Sequence, residues 1–450
     1  MEFKDPRIME TESIPRLLAR FAGPAIVGMI ASALYNIVDR IFVGQTVGAN
    51  GIAAIALGFP LMLFFFSFAL LVGVGGGSRI AILLGAGEVK KAEKTLGNAV
   101  FICLVIGVFF LVFSRAFIDP ILRVSGASEN LLPMARSYLS IVLWGVFFAI
   151  FSFAFSSFIR AAGSPGYAMG TQVIGAVVNV LLDAWLVLGL GKGVEGAAVA
   201  TVISQGISMC WATGYFLLPG SKLKLMRVHV STPHWPDIKR ILMVGLPPCL
   251  VELNFVLIHA LMNVGVQRDG GDLAVSATGI FMSLDSLLFM PAIAIGEGAQ
   301  PIIGYNYGAK KIDRVIQTIK LALGATTLFY MISFLLIQTN AEALVRLFNR
   351  SDPALIALAA LAMRIANIGI PLMGISIITS FTLQGLGRAR EGLFLSFIRF
   401  GVLLIIPLLI LPRIFGLYGN WAAFPVSDIA GSAISAVFLY CLIQKLKSDY

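Results

Sequence analysis

The chain has 450 residues, 58% of them hydrophobic and only 12% charged, with 33 Phe and a mean hydropathy of +0.92. Soluble domains carry about 25% charged residues, so a soluble fold is excluded and a polytopic membrane protein is expected. The formal net charge of +10 does not call for nucleic acid, because the basic residues map to the loops between apolar segments.

The N-terminal stretch MEFKDPRIMETES (1–13) is charged and lacks the apolar core of a cleavable signal peptide. The first apolar helix is therefore expected to act as an uncleaved insertion signal. A spanning helix needs about 20 apolar residues, and the chain divides into twelve such segments. They lie near 14–43, 50–76, 95–118, 133–156, 167–190, 195–217, 240–266, 273–300, 315–338, 355–381, 392–412 and 419–444. Hydrophobicity is continuous along each segment rather than alternating, which excludes a β-barrel. With twelve spans both termini share one side, and most Lys and Arg fall on that side. The loop 222–240 and the stretch AKKIDR (309–314) are the most basic. The positive-inside rule then puts both termini in the cytoplasm of a cell inner (plasma) membrane, with the basic loops touching anionic lipid.

Cys103, Cys210, Cys249 and Cys441 all fall inside predicted helices without CxxC or zinc spacing, and read as buried small hydrophobes rather than metal ligands. The glycine run GVGGGSR lacks the GK[ST] of a P-loop, and no helix carries HExxH. Neither ATP nor another cofactor is expected. A polytopic membrane enzyme or a scaffold is disfavoured, since neither accounts for acids inside the membrane.

The chain repeats weakly at an offset near 223 residues. GGSRIAILLGAGEVKKAEKT (76–95) matches GAQPIIGYNYGAKKIDRVIQ (298–317), IRAAGSPGYAMG (159–170) matches LQGLGRAREGLF (383–394), and GVEGAAVAT (193–201) matches GLYGNWAAFP (416–425). The fold expected is all-α: twelve transmembrane helices in two six-helix lobes, related by a pseudo-two-fold axis along the membrane normal. The N-lobe is expected at 1–218, a cytoplasmic linker at 219–239 and the C-lobe at 240–450.

Two aspartates stand inside the apolar runs ASALYNIVDRIFVG and GAVVNVLLDAWLVLG: Asp39 and Asp183. An intramembrane carboxylate costs roughly 2.5 to 3.5 kcal/mol on insertion scales and usually faces a bundle interior or an aqueous cavity. Asn36 lies three residues before Asp39, next to Tyr35, and Asn179 lies four before Asp183, so each acid shares a helical face with an amide. Counting residues along each helix puts Asp39 near the outer boundary, Asp183 in the outer half, and Thr201 just below the outer surface. A carboxylate pair with Asn and Thr oxygens suits either a shared proton or a Na⁺ ion. Across the repeat, Asp39 falls on Met262 and Asp183 on Pro407, so only one lobe carries the acids. Pro24 in the first helix removes a backbone hydrogen bond and supplies a hinge.

YNIVDRIFVGQTVGANGIAAIALGFP, the NxxxD at Asn179–Asp183 and GEGAQPIIGYNYGAKK after the eighth helix resemble the MATE family, the multidrug and toxic compound extrusion transporters, and within it the DinF-like, MepA-type branch. The resemblance implies a secondary antiporter that exports amphipathic, cationic small molecules against H⁺ or Na⁺ by alternating access, with no cofactor. It implies a coupling site at Asp39, Asn179, Asp183 and Thr201. Glu252 departs from a Gln expected in that branch. It is read, with Asn254, His259, Asn263 and Asp285, as a substrate-cavity candidate, while Arg399 and Asp428 are expected to pair within the C-lobe. A few Phe and Met are expected to accommodate substrate. A monomer is expected. The alternative transport reading is a lipid-linked saccharide flippase or metabolite exporter of the same wider superfamily.

Overall fold

The protein is represented by a computed structural model that describes residues 6–124, 131–348 and 352–448. The first five residues of the charged N-terminal stretch lie outside them. The described residues form helices and no strands. In hydrocarbon every backbone N–H and C=O must be satisfied within its own segment, which leaves the α-helix as the local solution.

Twelve long helices follow in chain order: α1 (Ile14–Val47), α2 (Ala49–Gly85), α3 (Val89–Ala116), α4 (Leu132–Ala161), α5 (Pro165–Gly189), α6 (Gly193–Leu217), α7 (235–270), α8 (272–308), α9 (Ile312–Val345), α10 (Pro353–Gly385), α11 (Ala389–Phe415) and α12 (Leu417–Ser448). Among the described residues, ten helical stretches are long and apolar enough to cross a membrane; one of these, Trp235–Gly308, is α7 and α8 joined across the non-helical Gly271. The twelfth is α6, whose Ser, Thr, Gln and Gly residues dilute its apolar character. Most helices overrun the expected spans because polar and glycine-rich ends continue the helical hydrogen bonding past the apolar stretch.

The repeat is written into the backbone. Left-handed residues occur at Gly48 and Gly271, Gly87 and Lys310, Gly163 and Gly387, and Gly193 and Gly416, each pair 223 or 224 residues apart. Two of these pairs end helices in one pattern. Gly87 N–H donates to Leu84 O and Glu88 N–H to Leu83 O; Lys310 and Lys311, Gly163 and Ser164, and Gly387 and Arg388 repeat both bonds. That is the Schellman arrangement, which satisfies carbonyls a helix end would otherwise leave unpaired.

The chain clusters into two compact units. Unit 1 is Met1–Glu12 with Gly23–Glu252, and unit 2 is Ser13–Ala22 with Leu253–Tyr450. Within unit 1, glycines let helices approach closely, as expected where lipid removes any hydrophobic drive between them. A Cβ at Gly73 would meet Ala154 Cα of α4 at 3.2 Å, and one at Gly76 would strike the Phe158 ring. One at Gly245 of α7 would fall inside van der Waals contact of the Leu71 carbonyl of α2. Phe64 and Phe68 of α2 meet Phe110 of α3 edge to face, and Phe65 meets the same ring at a tilt. Unit 2 has its own core, with Phe281, Tyr330, Met363 and Trp421 fully buried. Cys103 and Cys249 are buried as expected, but Cys210 and Cys441 are exposed; both sit on outward helical faces, where a small apolar side chain needs no protein partner.

Buried charge in unit 2 is paired at two places. Arg399 donates to Asp428 at 3.2 Å and lies over the Phe400 ring at 4.9 Å. Asn367 donates to Asp285 at 2.9 Å and to Met363 O at 2.9 Å. Arg399 sits in a π-helical stretch, Phe397–Val402.

Lys310 carries a side chain in a left-handed conformation (φ 58°) that its repeat partner Gly87 meets without a Cβ. Lys310→Gly should therefore stabilise the protein by about 1 kcal/mol, read as a higher melting midpoint in detergent. Asp428→Leu should cost about 3 kcal/mol by stranding a buried guanidinium. Adding Arg399→Leu should recover most of that loss, a difference a double-mutant cycle of thermal melts measures directly.

Candidate functional site

Four helices of unit 1 converge near one set of their ends. Asp39 lies eight residues from the end of α1, Asp183 six from the end of α5, Thr201 eight from the start of α6, and Tyr138 six from the start of α4. At 1.5 Å per residue all four sit about 9 to 12 Å below their helix ends. The sequence count had placed Asp39 near the boundary; α1 runs on to Val47, which carries it inward.

Asp183 is fully buried, Asn179 is 1% exposed and Asp39 is 8% exposed. Asp183 and Asp39 lie within electrostatic reach of one another, and Tyr35 and Tyr138 each lie within reach of both. Yet both carboxylate oxygens of Asp183, Oδ1 of Asp39 and both amide atoms of Asn179 have no hydrogen-bond partner among the described residues. Leaving even one buried polar group unpaired costs about 1 to 3 kcal/mol, and more for a charge. Five such atoms together, three of them carboxylate oxygens, favour a species that neutralises or solvates them: a proton, a metal cation or water. No cluster of three or more His, Cys, Asp or Glu suited to a metal ion occurs among the described residues. A cation here would draw its remaining ligands from amide, hydroxyl and phenol oxygens, as hard ions do.

Local structure holds the acids in place. Asp183 is the last residue before a π-helical turn, Ala184–Gly189, in which Leu190 N–H donates to Trp185 O. Such bulges recur at functional sites because they redirect side chains without ending a helix. On the same helices and α2, Val43, Ile55, Tyr138, Val142, Val187 and Val194 form a separate apolar cluster. Arg40 is exposed and lies over the Phe59 ring at 5.9 Å, consistent with its position on a different helical face from Asp39.

The remaining candidates are more dispersed. Thr201 is half-buried, and its carbonyl accepts from Ser204 at 2.8 Å. Asn36 is exposed and donates back to Ser32 O at 2.7 Å. Gly28 packs α1 against Gln172 of α5, and α1 continues as a helix through Pro24. On α7, Glu252 and Asn254 are half-buried while His259 and Asn263 are exposed; among the described residues no hydrogen bond joins any two of them. Asp285 is held by Asn367. The sequence reading missed Tyr138 and Asn367. The depth count that found Thr201 would have found Tyr138 as well, and the break NIGIP in α10 marks Asn367.

Comparison with known proteins agrees with this frame. The MatE family model matches residues 24–185 and 247–410, two matches whose starts at Pro24 and Pro247 are 223 residues apart. The multidrug export protein MepA of Staphylococcus haemolyticus is 27% identical over 440 residues, covering 98% of this chain and 96% of its own length. MepA of Staphylococcus aureus strain MRSA252 is 24% identical over 448 residues, covering 99% and 98%. The MATE multidrug transporter DinF-BH, solved in complex with a ligand, is 35% identical, covers 96% of each chain and superposes with a TM-score of 0.88. The paired matches, the twelve helices and the 35% identity leave one assignment: the chain belongs to the MatE family of multidrug and toxic compound extrusion transporters.

Proposed function

We propose that the protein is a secondary multidrug antiporter, in which H⁺ or Na⁺ moving inward through Asp39 and Asp183 drives export of amphipathic, cationic small molecules. The observation that carries this reading is the set of unpartnered, buried carboxylate and amide atoms shared by Asp39, Asn179 and Asp183. Two carboxylates this close disfavour double ionisation, so the doubly charged pair is a high-energy state that a proton or a hard cation relieves. Exporting substrate and importing the ion then become alternate ways of using one protein, and the energy of the gradient passes through that neutralisation.

Thr201, Tyr35 and Asn36 are assigned to the same coupling region. Pro24 is the hinge by which α1 responds, since the missing N–H leaves one turn of the helix easier to bend. Glu252 gives α7 a negative charge that favours cationic substrates, with Asn254, His259, Asn263 and Asp285 as further contacts. The lobes act as 1–218 and 240–450, with both termini in the cytoplasm of the plasma membrane and the monomer as the working unit. The relatives, multidrug export proteins and a multidrug transporter with a bound ligand, support a broad organic substrate range.

Asp39→Asn and Asp183→Asn should each reduce efflux of a cationic rhodamine dye from proteoliposomes to background while leaving a folded, inserted protein. Imposing a pH gradient and a Na⁺ gradient separately identifies the ion, and wild-type rates in either variant under both gradients would remove the coupling assignment. Glu252→Gln should raise KM for cationic dyes by about tenfold, the scale of one charge attraction at partial burial, with little change for neutral ones. Equal losses for both classes in side-by-side efflux assays would make Glu252 structural.

A further inference from the structure

Between Leu217, the end of α6, and Trp235, the start of α7, the chain is not a slack tether. Its basic composition, KLKLMRVH, suggests a solvated loop, yet Leu223 is fully buried and Ser221 is 5% exposed. Ser221 turns the chain there: its hydroxyl donates to Leu223 O at 2.7 Å. A short helix, Arg227–Ser231, then packs along α3.

Three residues of α3 receive this segment. Glu93, 8% exposed, accepts a hydrogen bond from the backbone N–H of Lys224 at 3.1 Å. Asn98, fully buried, accepts one from the backbone N–H of His234 at 2.9 Å. Between them Gly97 has no side chain because none would fit: a Cβ there would lie within 2.7 Å of the His229 backbone. Glu93 and Gly97 are four residues apart and share one helical face, with Asn98 beside it. A buried carboxylate and a buried amide aimed at backbone N–H groups of one segment, with a glycine gap between them, make a built seat.

We propose that residues 221–234 are a docked strap, an intramolecular ligand of α3 that holds the start of α7 on unit 1 and whose release controls the transport rate. Covalent length alone could not fix α7, because a free segment of 17 residues spans up to ~60 Å. The seat does what length cannot. It works together with the crossing at Gly245 and Leu71, so that α7 is fastened to unit 1 at its lead-in and again one-third of the way along.

Gly97→Leu tests this, because leucine is the better helix former and the substitution should damage the seat without weakening α3. Asn98→Ala removes one hydrogen bond with no added bulk, and covers the case where Gly97→Leu fails to fold. Gly324→Leu, at a helical glycine with open space around it, is the control. Limited trypsinolysis after Lys222 and Lys224 should speed up about tenfold in either seat variant, since cleavage tracks the undocked population, and should not change in Gly324→Leu. Efflux of the rhodamine dye should fall about fivefold in the same variants, a typical coupling-sized effect. Cleavage at the wild-type rate in both seat variants overturns the docking, and faster cleavage with wild-type efflux overturns the control role. The proteolysis arm needs no transport, so its outcome stands even if the export reading fails.

Discussion

In lipid the backbone must satisfy itself, and that single constraint orders this protein from its turns to its site. Twelve helices absorb nearly all N–H and C=O groups, which leaves the helix ends as the places where topology is decided. There the chain uses left-handed residues at the same points of both repeats, from Gly48 and Gly271 through to Gly193 and Gly416. The one non-glycine among them, Lys310, keeps the conformation of Gly87 at a steric cost, so the repeat survives in the backbone where the side chain has drifted. Side-chain polarity inside such a frame is conspicuous, because nothing around it can compensate cheaply.

The two repeats answer buried charge in opposite ways. In unit 2 two inward acids have partners: Arg399 for Asp428 and Asn367 for Asp285. In unit 1, Asp183 and Asn179 are almost wholly buried, and their side-chain oxygens have no hydrogen-bond partner among the described residues. One architecture thus contains both partnered and unpartnered inward acids. A partnered acid ties helices together, whereas an unpartnered one favours a proton, a cation or water as its neighbour. This contrast within a single chain is a stronger argument than the burial of either aspartate alone, since it removes the general expense of intramembrane acids from the comparison.

Much of this was legible in the residues, and the parts that were not have identifiable causes. Hydropathy located the helices because a spanning segment is long and has one dominant requirement, and α6, diluted by Ser, Thr, Gln and Gly, gives the weakest signal. Hydropathy underran the helix ends, since Gly85, Gly308 and Ser448 continue helices beyond the apolar stretch. The Asn179–Asp183 pair could be read because four-residue spacing fixes a shared face. Asn36 shares spacing with Asp39 too, yet it is exposed and bonds its own helix at Ser32: spacing gives the face, not which way a given amide resolves its hydrogen bonds. Tyr138 escaped because a tyrosine in an apolar helix looks like packing until helices far apart in sequence are aligned by depth. Charge and composition say little about 221–234, where Lys224 and His234 donate their backbone N–H groups to Glu93 and Asn98, a mode that leaves almost no signature except the glycine opposite it.

The π-helical turns show how local geometry and chemistry are joined. One follows Asp183 in α5 and the other contains Arg399 in α11, the fifth helix of each repeat, although the two turns are not in register at the 223-residue offset. A π turn inserts one residue and rotates everything beyond it by about a quarter-turn relative to an unbroken α-helix. In α11 that rotation falls at the arginine that meets Asp428; in α5 it falls just past an acid that meets no hydrogen-bond donor among the described residues. The insertion therefore cannot be explained by a common partner. What the two sites share is a charged side chain that must face inward from a helix whose remaining outward positions, such as Leu181, Trp185 and Leu188 in α5, stay exposed and apolar. Leu181, Trp185 and Leu188 keep the four- and three-residue spacing of one helical face across the insertion, so the extra residue is accommodated beside the charge without breaking up the apolar surface.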